Sequence, residues 1–236
     1  MNLLDEYYNV FIYCGGKCGS STLCTTFNQY FKTIQLHTNK YYKINLKKNK
    51  NVFDTIDLSC TQYENVYFID SYRLPIERKI SSFFQNINSH VPNYKSLKIK
   101  ELIHIFNTKY IYTIEEYHSI NEVMTYYNVP LFDTFDFDKR YNIVQKDNKI
   151  FIKVLFKDIT QWENIFSDIF SCKITIYNNN ISEYKNYNSI YQTFKDNYLV
   201  PKKYIETKLL QDQEFKIYNT KQEQYEYIQH WLKKSY

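Results

Sequence analysis

Short apolar runs alternate with stretches of helical periodicity along the 236 residues of the chain. "VFIYC" (Val10–Cys14) is a continuous apolar run of strand length and predicts a buried strand. A helix is predicted from about Ser20, with Leu23, Phe27, Tyr30 and Phe31 at helical spacing. "TIQLH" (Thr33–His37) predicts a second strand, "NVFDTID" (Asn51–Asp57) a third, and "NVYFID" (Asn65–Asp70) one more. After it, "PIERKISSFFQNI" puts Ile76, Ile80, Phe83, Phe84 and Ile87 on one helical face, with Pro75 in the first turn, where its missing N–H costs little. "IFIKVLF" (Ile150–Phe156) predicts a strand, "ITQWENIFSDIF" (Ile159–Phe170) an amphipathic helix, and "KITIY" (Lys173–Tyr177) the last strand. The final "KQEQYEYIQHWLKKSY" predicts a helix burying Tyr225, Ile228, Trp231 and Leu232. Strands alternating with helices imply an α/β fold with a mostly parallel central sheet flanked by helices. No linker-like stretch interrupts the pattern, so a single domain over 1–236 is expected, with a helical C-terminal segment from about residue 182.

The chain is 44% hydrophobic, an ordinary globular share, and carries a net charge of +5. That mild basic balance suits an anionic ligand. No long basic run points to nucleic acid. No stretch approaches the roughly 20 apolar residues of a membrane span. The N-terminus carries acids early and lacks a basic region followed by an apolar one, so no signal peptide is expected. Five cysteines, an odd number in largely apolar contexts, read as reduced thiols and a cytoplasmic setting. The spacings of Cys14, Cys18, Cys24 and His37 match no common zinc pattern, and no metal is expected.

All three glycines, Gly15, Gly16 and Gly19, fall in one stretch, "YCGGKCGSSTLC". A strand, a glycine-rich turn and a helix opening on hydroxyl residues together describe an anion site. N–H groups at the helix start point outward, the helix dipole adds partial positive charge, and glycine lets backbone approach a ligand closely. Ser20, Ser21 and Thr22 add hydroxyl donors and Lys17 adds a full charge. The nucleotide-kinase pattern G-x-x-x-x-G-K-[ST] is not met: the lysine stands two positions ahead of Gly19, not behind it.

"GGKCGSSTL" resembles the 5′-phosphosulfate loop of sulfotransferases, a lysine, any residue, a glycine, then two or three Ser/Thr. A second stretch, "VYFIDSYRLPIERKISSFF", is similar to the 3′-phosphate motif of that family, an arginine at a strand end followed eight residues later by a serine on the next helix. Arg73 and Ser81 have that spacing, and Arg73 and Arg78 are two of only three arginines in the chain. The guanidinium fork suits a phosphate. "VLFKDITQWENIFSDIF" is similar to a later strand-plus-helix segment of the family, with Lys157 and Asp158 in place of its acidic pair. "YRLPIERKISSFF" also looks close to a subfamily of microbial and viral capsular polysaccharide synthesis proteins.

The resemblance implies a P-loop-like sulfotransferase fold and 3′-phosphoadenosine 5′-phosphosulfate (PAPS) as donor, with no metal. It implies a sulfuryl group transferred to a hydroxyl or amine of an acceptor, of carbohydrate class. Gly16, Lys17, Cys18, Gly19, Ser20, Ser21 and Thr22 would hold the 5′ end, Arg73 and Ser81 the 3′-phosphate, and Lys17 the leaving oxygen. His37, at the end of a predicted strand, is the first choice for the general base, with Asp54, Asp57 and Glu64 in reserve. Two other readings stay open: an inactive relative that binds the nucleotide, and a kinase with an aberrant loop.

Overall fold

Residues buried on both sides of a sheet leave no face for water, and the apolar runs of this chain accordingly become the inner strands. A computed structural model describes residues 7–37, 51–113, 119–177 and 186–236. In chain order the strands and helices are β1 (Val10–Tyr13), α1 (Ser20–Phe27), β2 (Thr33–Leu36), α2 (Val52–Gln62), β3 (Val66–Tyr72), α3 (Pro75–Gln85), α4 (Ile87–His90), α5 (Ile99–Ile105) and α6 (Ile120–Tyr126). They continue with β4 (Tyr141–Lys146), β5 (Lys149–Leu155), α7 (Trp162–Phe170), α8 (Asn188–Asn197), α9 (Lys202–Thr207), α10 (Gln213–Ile217) and α11 (Lys221–Lys233). The described residues gather into two compact units, one drawn from 1–72 and 117–179, the other from 73–116 and 180–236.

The first unit holds a five-stranded sheet in the order β2-β1-β3-β5-β4. Every neighbouring pair is parallel except β4–β5. The fold is therefore α/β with a mostly parallel sheet flanked by helices, as the alternating pattern predicts. On one face Val10, Ile12, Ile69, Ile152 and Val154 pack with Leu23 and Phe27 of α1 and Trp162 and Phe166 of α7. On the other face Phe11, Phe68 and Phe151 stack across three adjacent strands, with centroids 5.2 and 4.8 Å apart, under Ile56 of α2 and Val123 and Met124 of α6.

One polar pair interrupts that second face. Asp70 and Lys153 are register partners on β3 and β5, and Lys153 Nζ donates to Asp70 Oδ2 at 2.7 Å with both side chains fully buried. The same oxygen accepts the Ile120 N–H at the start of α6 at 3.2 Å. Burial pushes the Asp70 carboxyl above its usual range, and the Lys153 charge opposes that rise. Nearby, the Tyr13 hydroxyl donates to Glu122 of α6 at 2.8 Å.

The second unit is helical. Ile76, Ile80, Phe83 and Phe84 of α3 pack with Leu102 of α5, with Phe106 just after it, with Phe194 of α8 and its C-cap Tyr198, and with Trp231 of α11. A π-helical turn, Phe106–Tyr110, follows α5 and carries the buried Asn107. Asn107 donates to the Leu199 carbonyl at 2.8 Å and accepts from the Tyr198 hydroxyl at 2.8 Å.

Four expectations need correction. "NVFDTID" is helical, not extended: the Asn51 side chain caps α2 by accepting from Phe53 N–H, and Val52, Ile56 and Ser59 bury at helical spacing. α1 ends at Phe27 with Asn28 as its C-cap, so Tyr30 and Phe31 lie beyond it. "KITIY" forms no strand. Its N–H groups go to side chains instead of a ladder: Ile174 to Ser167 Oγ, Thr175 to Tyr30 Oη and Ile176 to Glu163 Oε1, each at 2.9 Å, and Tyr177 to Thr26 Oγ1 at 3.0 Å. On α11, Tyr225 is 61% exposed while Trp231 is 5% exposed, because the buried stripe runs through Tyr227, Ile228 and Trp231. The sequence pattern also passes over β4, a half-exposed edge strand joined to β5 by a tight turn with Asp147 at φ +53°.

Removing one member of a buried ion pair leaves the other charge without a partner. Lys153→Met should cost about 3–5 kcal/mol in denaturant unfolding, and Asp70→Leu combined with Lys153→Met should recover most of that loss.

Candidate functional site

β1 and β3 are parallel hydrogen-bonded neighbours, so they end at the same edge of the sheet, β1 running on into the glycine turn. In that turn Cys14 and Gly15 are buried, Gly16 is exposed and Lys17 is partly exposed. Lys17 has φ +69° and Gly19 φ +87°. For lysine the left-handed region costs roughly 1–2 kcal/mol. Left-handed backbone at 17 and again at 19 turns the chain sharply between β1 and α1. Gly19 is required on two counts. Its φ suits glycine, and a Cβ there would stand 2.7 Å from Trp162 Cη2 and 3.1 Å from the Phe156 ring. Gly16 differs: a Cβ there would meet nothing within 4 Å, so its outer side is open.

Gly19 is also the N-cap of α1, which has no side-chain cap. The Leu23 N–H closes the first helical turn on the Gly19 carbonyl at 3.0 Å, so the N–H groups of Ser20 and Ser21 lie ahead of it at the positive end of the helix. Ser20 and Thr22 are buried and Ser21 is partly exposed. Cys18 is fully buried in the core below the turn, its thiol 3.8 Å from the Gly16 carbonyl oxygen.

His37 lies one residue past β2, beside the turn. Its Nδ1 is 2.9 Å from the Cys14 carbonyl oxygen. Its Nε2 is 2.7 Å from Gln35 Nε2, which also donates to Ser20 Oγ at 2.9 Å. A strand of period two puts Gln35 and His37 on one face. Gln35 is a residue the sequence reading missed, and the alternation in "TIQLH" is the signal that could have found it.

Of the reserve bases, Asp57 accepts the Tyr127 hydroxyl at 2.7 Å and Asp54 lies in the first turn of α2. Glu64 precedes β3 and therefore sits at the opposite edge of the sheet from the glycine turn. Lys157 lies 5.6 Å from the Phe137 ring centroid, and Asp158 pairs with Arg140 at 3.3 Å. Trp162 and Phe156 of that same segment are what press on Gly19. Among the described residues no group of three or more His, Cys, Asp or Glu side chains is arranged to hold a metal ion.

In the second unit, Arg73 directly precedes α3, whose N-cap is Leu74 and first residue Pro75. Arg73, Glu77 and Ser81 follow one another at intervals of four. Leu74 gives no side-chain cap. The Tyr227 hydroxyl of α11 takes that place, accepting the Ile76 N–H at 3.4 Å and donating to Glu77 Oε2 at 2.5 Å. Burial pushes the Glu77 carboxyl above its usual range, while the Tyr227 hydrogen bond and the charges of Arg73 and His230 act in the other sense.

The structure thus brings Gly16, Lys17, Cys18, Gly19, Ser20, Ser21, Thr22 and His37 together in the first unit and places Arg73 and Ser81 on and before α3 in the second. No helix among the described residues is long and apolar enough to cross a membrane. Compared with protein-family models, curated proteins and solved structures, the chain matches none.

The contrast between the glycines is measurable. Gly19→Ala should lose about 2–4 kcal/mol from strain and overlap with Trp162, whereas Gly16→Ala should stay within about 0.5 kcal/mol of the parent in the same urea titration. Glu77 allows a second test. Its raised folded pKa means the native state keeps the proton longer than the unfolded chain, so its contribution to stability falls as pH rises out of the carboxylate range. Urea midpoints from about pH 4 to about pH 7 should decline less with pH in Glu77→Gln than in the parent.

Proposed function

We propose that the chain is a sulfotransferase that moves a sulfuryl group from PAPS to a hydroxyl or amine of an acceptor of carbohydrate class, on a P-loop-like sulfotransferase fold. The observation that carries this reading is the turn from Cys14 to Ser20. It has left-handed backbone at Lys17 and Gly19, an open side at Gly16 and a helix start behind it. Such a turn suits a phosphate held by N–H groups, and the lysine sits in the loop as the family pattern requires.

PAPS supplies an activated sulfuryl group on its 5′-phosphate. The N–H groups of Gly19 to Thr22 hold that phosphate, and the Lys17 ammonium offsets the charge that grows on the bridging oxygen as its bond to sulfur breaks. Arg73 and Ser81 take the 3′-phosphate and so distinguish the donor from ATP. His37 Nε2 receives the acceptor's proton as the new O–S or N–S bond forms. Positioning and fixed charge supply the catalysis, as in phosphoryl transfer.

A kinase reading is less favoured. Asp70, near the end of β3 where a magnesium-binding acid is wanted, is fully buried and paired with Lys153. A relative that binds without turnover is the second reading, favoured by the engagement of both His37 ring nitrogens with Gln35 and Cys14.

Thermal unfolding with added nucleotides tests the proposal. 3′-Phosphoadenosine 5′-phosphate (PAP) at about 100 times its Kd should add about 2.7 kcal/mol, AMP far less, and Arg73→Ala should weaken PAP binding by about 10- to 100-fold. Equal stabilisation by AMP, or stabilisation only by ATP with magnesium, would contradict it. Binding of PAP without sulfuryl transfer to any glycan acceptor would favour the second reading.

A further inference from the structure

The geometry points to Gln35 as the positioning residue that sets the hydrogen-bonding polarity of both His37 and Ser20. The inference deepens the reading of the glycine turn as a phosphate site and, for its ligand readout, rests on it. The chain of reasoning starts at the Cys14 carbonyl, which can only accept. With His37 Nδ1 at 2.9 Å from it, the proton of a neutral imidazole is on Nδ1. Nε2 then carries the lone pair and must meet a donor, which the Gln35 amide nitrogen supplies at 2.7 Å. The second N–H of the same amide donates to Ser20 Oγ at 2.9 Å. Because Ser20 accepts there, its own hydroxyl proton is left to be donated, which is the polarity an anion at the helix start needs.

Gln35 therefore acts through two other residues at once. It keeps His37 Nε2 basic and turned to the amide, ready to take a proton when the amide moves aside, and it leaves the Ser20 hydroxyl proton to be donated elsewhere. Reversing the amide would place an acceptor between the two. His37 would then be favoured with a proton on Nε2, and the Ser20 hydroxyl would point back at residue 35.

Nitrogen NMR of the full chain labelled with 15N-histidine tests this, with the His37 signals assigned by their loss in His37→Asn. In the parent, His37 should be held in the Nδ1–H tautomer. Gln35→Leu should populate both tautomers and weaken PAP binding about tenfold, the effect of one hydrogen bond to a charged group. Gln35→Glu, of the same shape but accepting only, should favour a proton on His37 Nε2 and weaken PAP binding by a similar factor. If Gln35→Leu does not fold, Gln35→Glu and the parent tautomer still decide the matter. An Nε2–H tautomer in the parent, or a His37 signal unmoved by either substitution, overturns the role of Gln35. A parent chain that shows the expected tautomer but binds no PAP overturns the nucleotide reading and leaves the role of Gln35 standing.

Discussion

The candidate site depends on the contact between Trp162 and Gly19. Trp162 is fully buried, and its indole N–H donates to the Leu155 carbonyl at the end of β5 at 3.0 Å. Phe156 meets it edge-on at a centroid distance of 6.2 Å. Two fixed rings thus fill the space in which any side chain at residue 19 would have to stand. Only glycine fits, and only glycine takes its left-handed φ without strain. Gly19 is also the N-cap of α1, so that packing fixes the residue from which the helix starts. A contact spanning much of the chain thereby shapes a turn that appears local.

Polar chemistry gathers at the same edge of the sheet on both faces. Above one face the Cys14 carbonyl, His37, Gln35 and Ser20 form a continuous hydrogen-bond chain. On the other, Asp70, Lys153 and the Ile120 N–H form a second, fully buried group, with Tyr13 bonded to Glu122 nearby. A buried ion pair adds little net stability over apolar packing. It ties β3 to β5 and to the start of α6. In the helical unit, Tyr227 performs the comparable task by capping α3 from a distant helix.

The apolar runs of β1, β3 and β5 were legible because both faces of these inner strands are buried, and the edge strand β2 from the apolar positions Ile34 and Leu36. All four fall within a residue or two of their predicted places. α3 was legible from Pro75 and a regular apolar stripe. What failed did so for identifiable reasons. Asn51–Asp57 is short and β-branched enough to pass for a strand, but an asparagine cap and burial at helical spacing make it a helix. Lys173–Tyr177 has strand-like residues but finds its hydrogen-bond partners in side chains of α1, α7 and Tyr30, which no local pattern encodes. The glycine turn could be read as a turn, yet the reason for Gly19 lies in Trp162. The bridge through Gln35 needs three-dimensional placement as well as the alternation of one strand.

The most direct measurement of the central claim is a crystal structure of the chain with PAP. The account predicts the 5′-phosphate on the N–H groups of Gly19 to Thr22 beside Lys17, and the 3′-phosphate on Arg73 and Ser81. Nucleotide density elsewhere on the chain, or none at the glycine turn under saturating PAP, would contradict it.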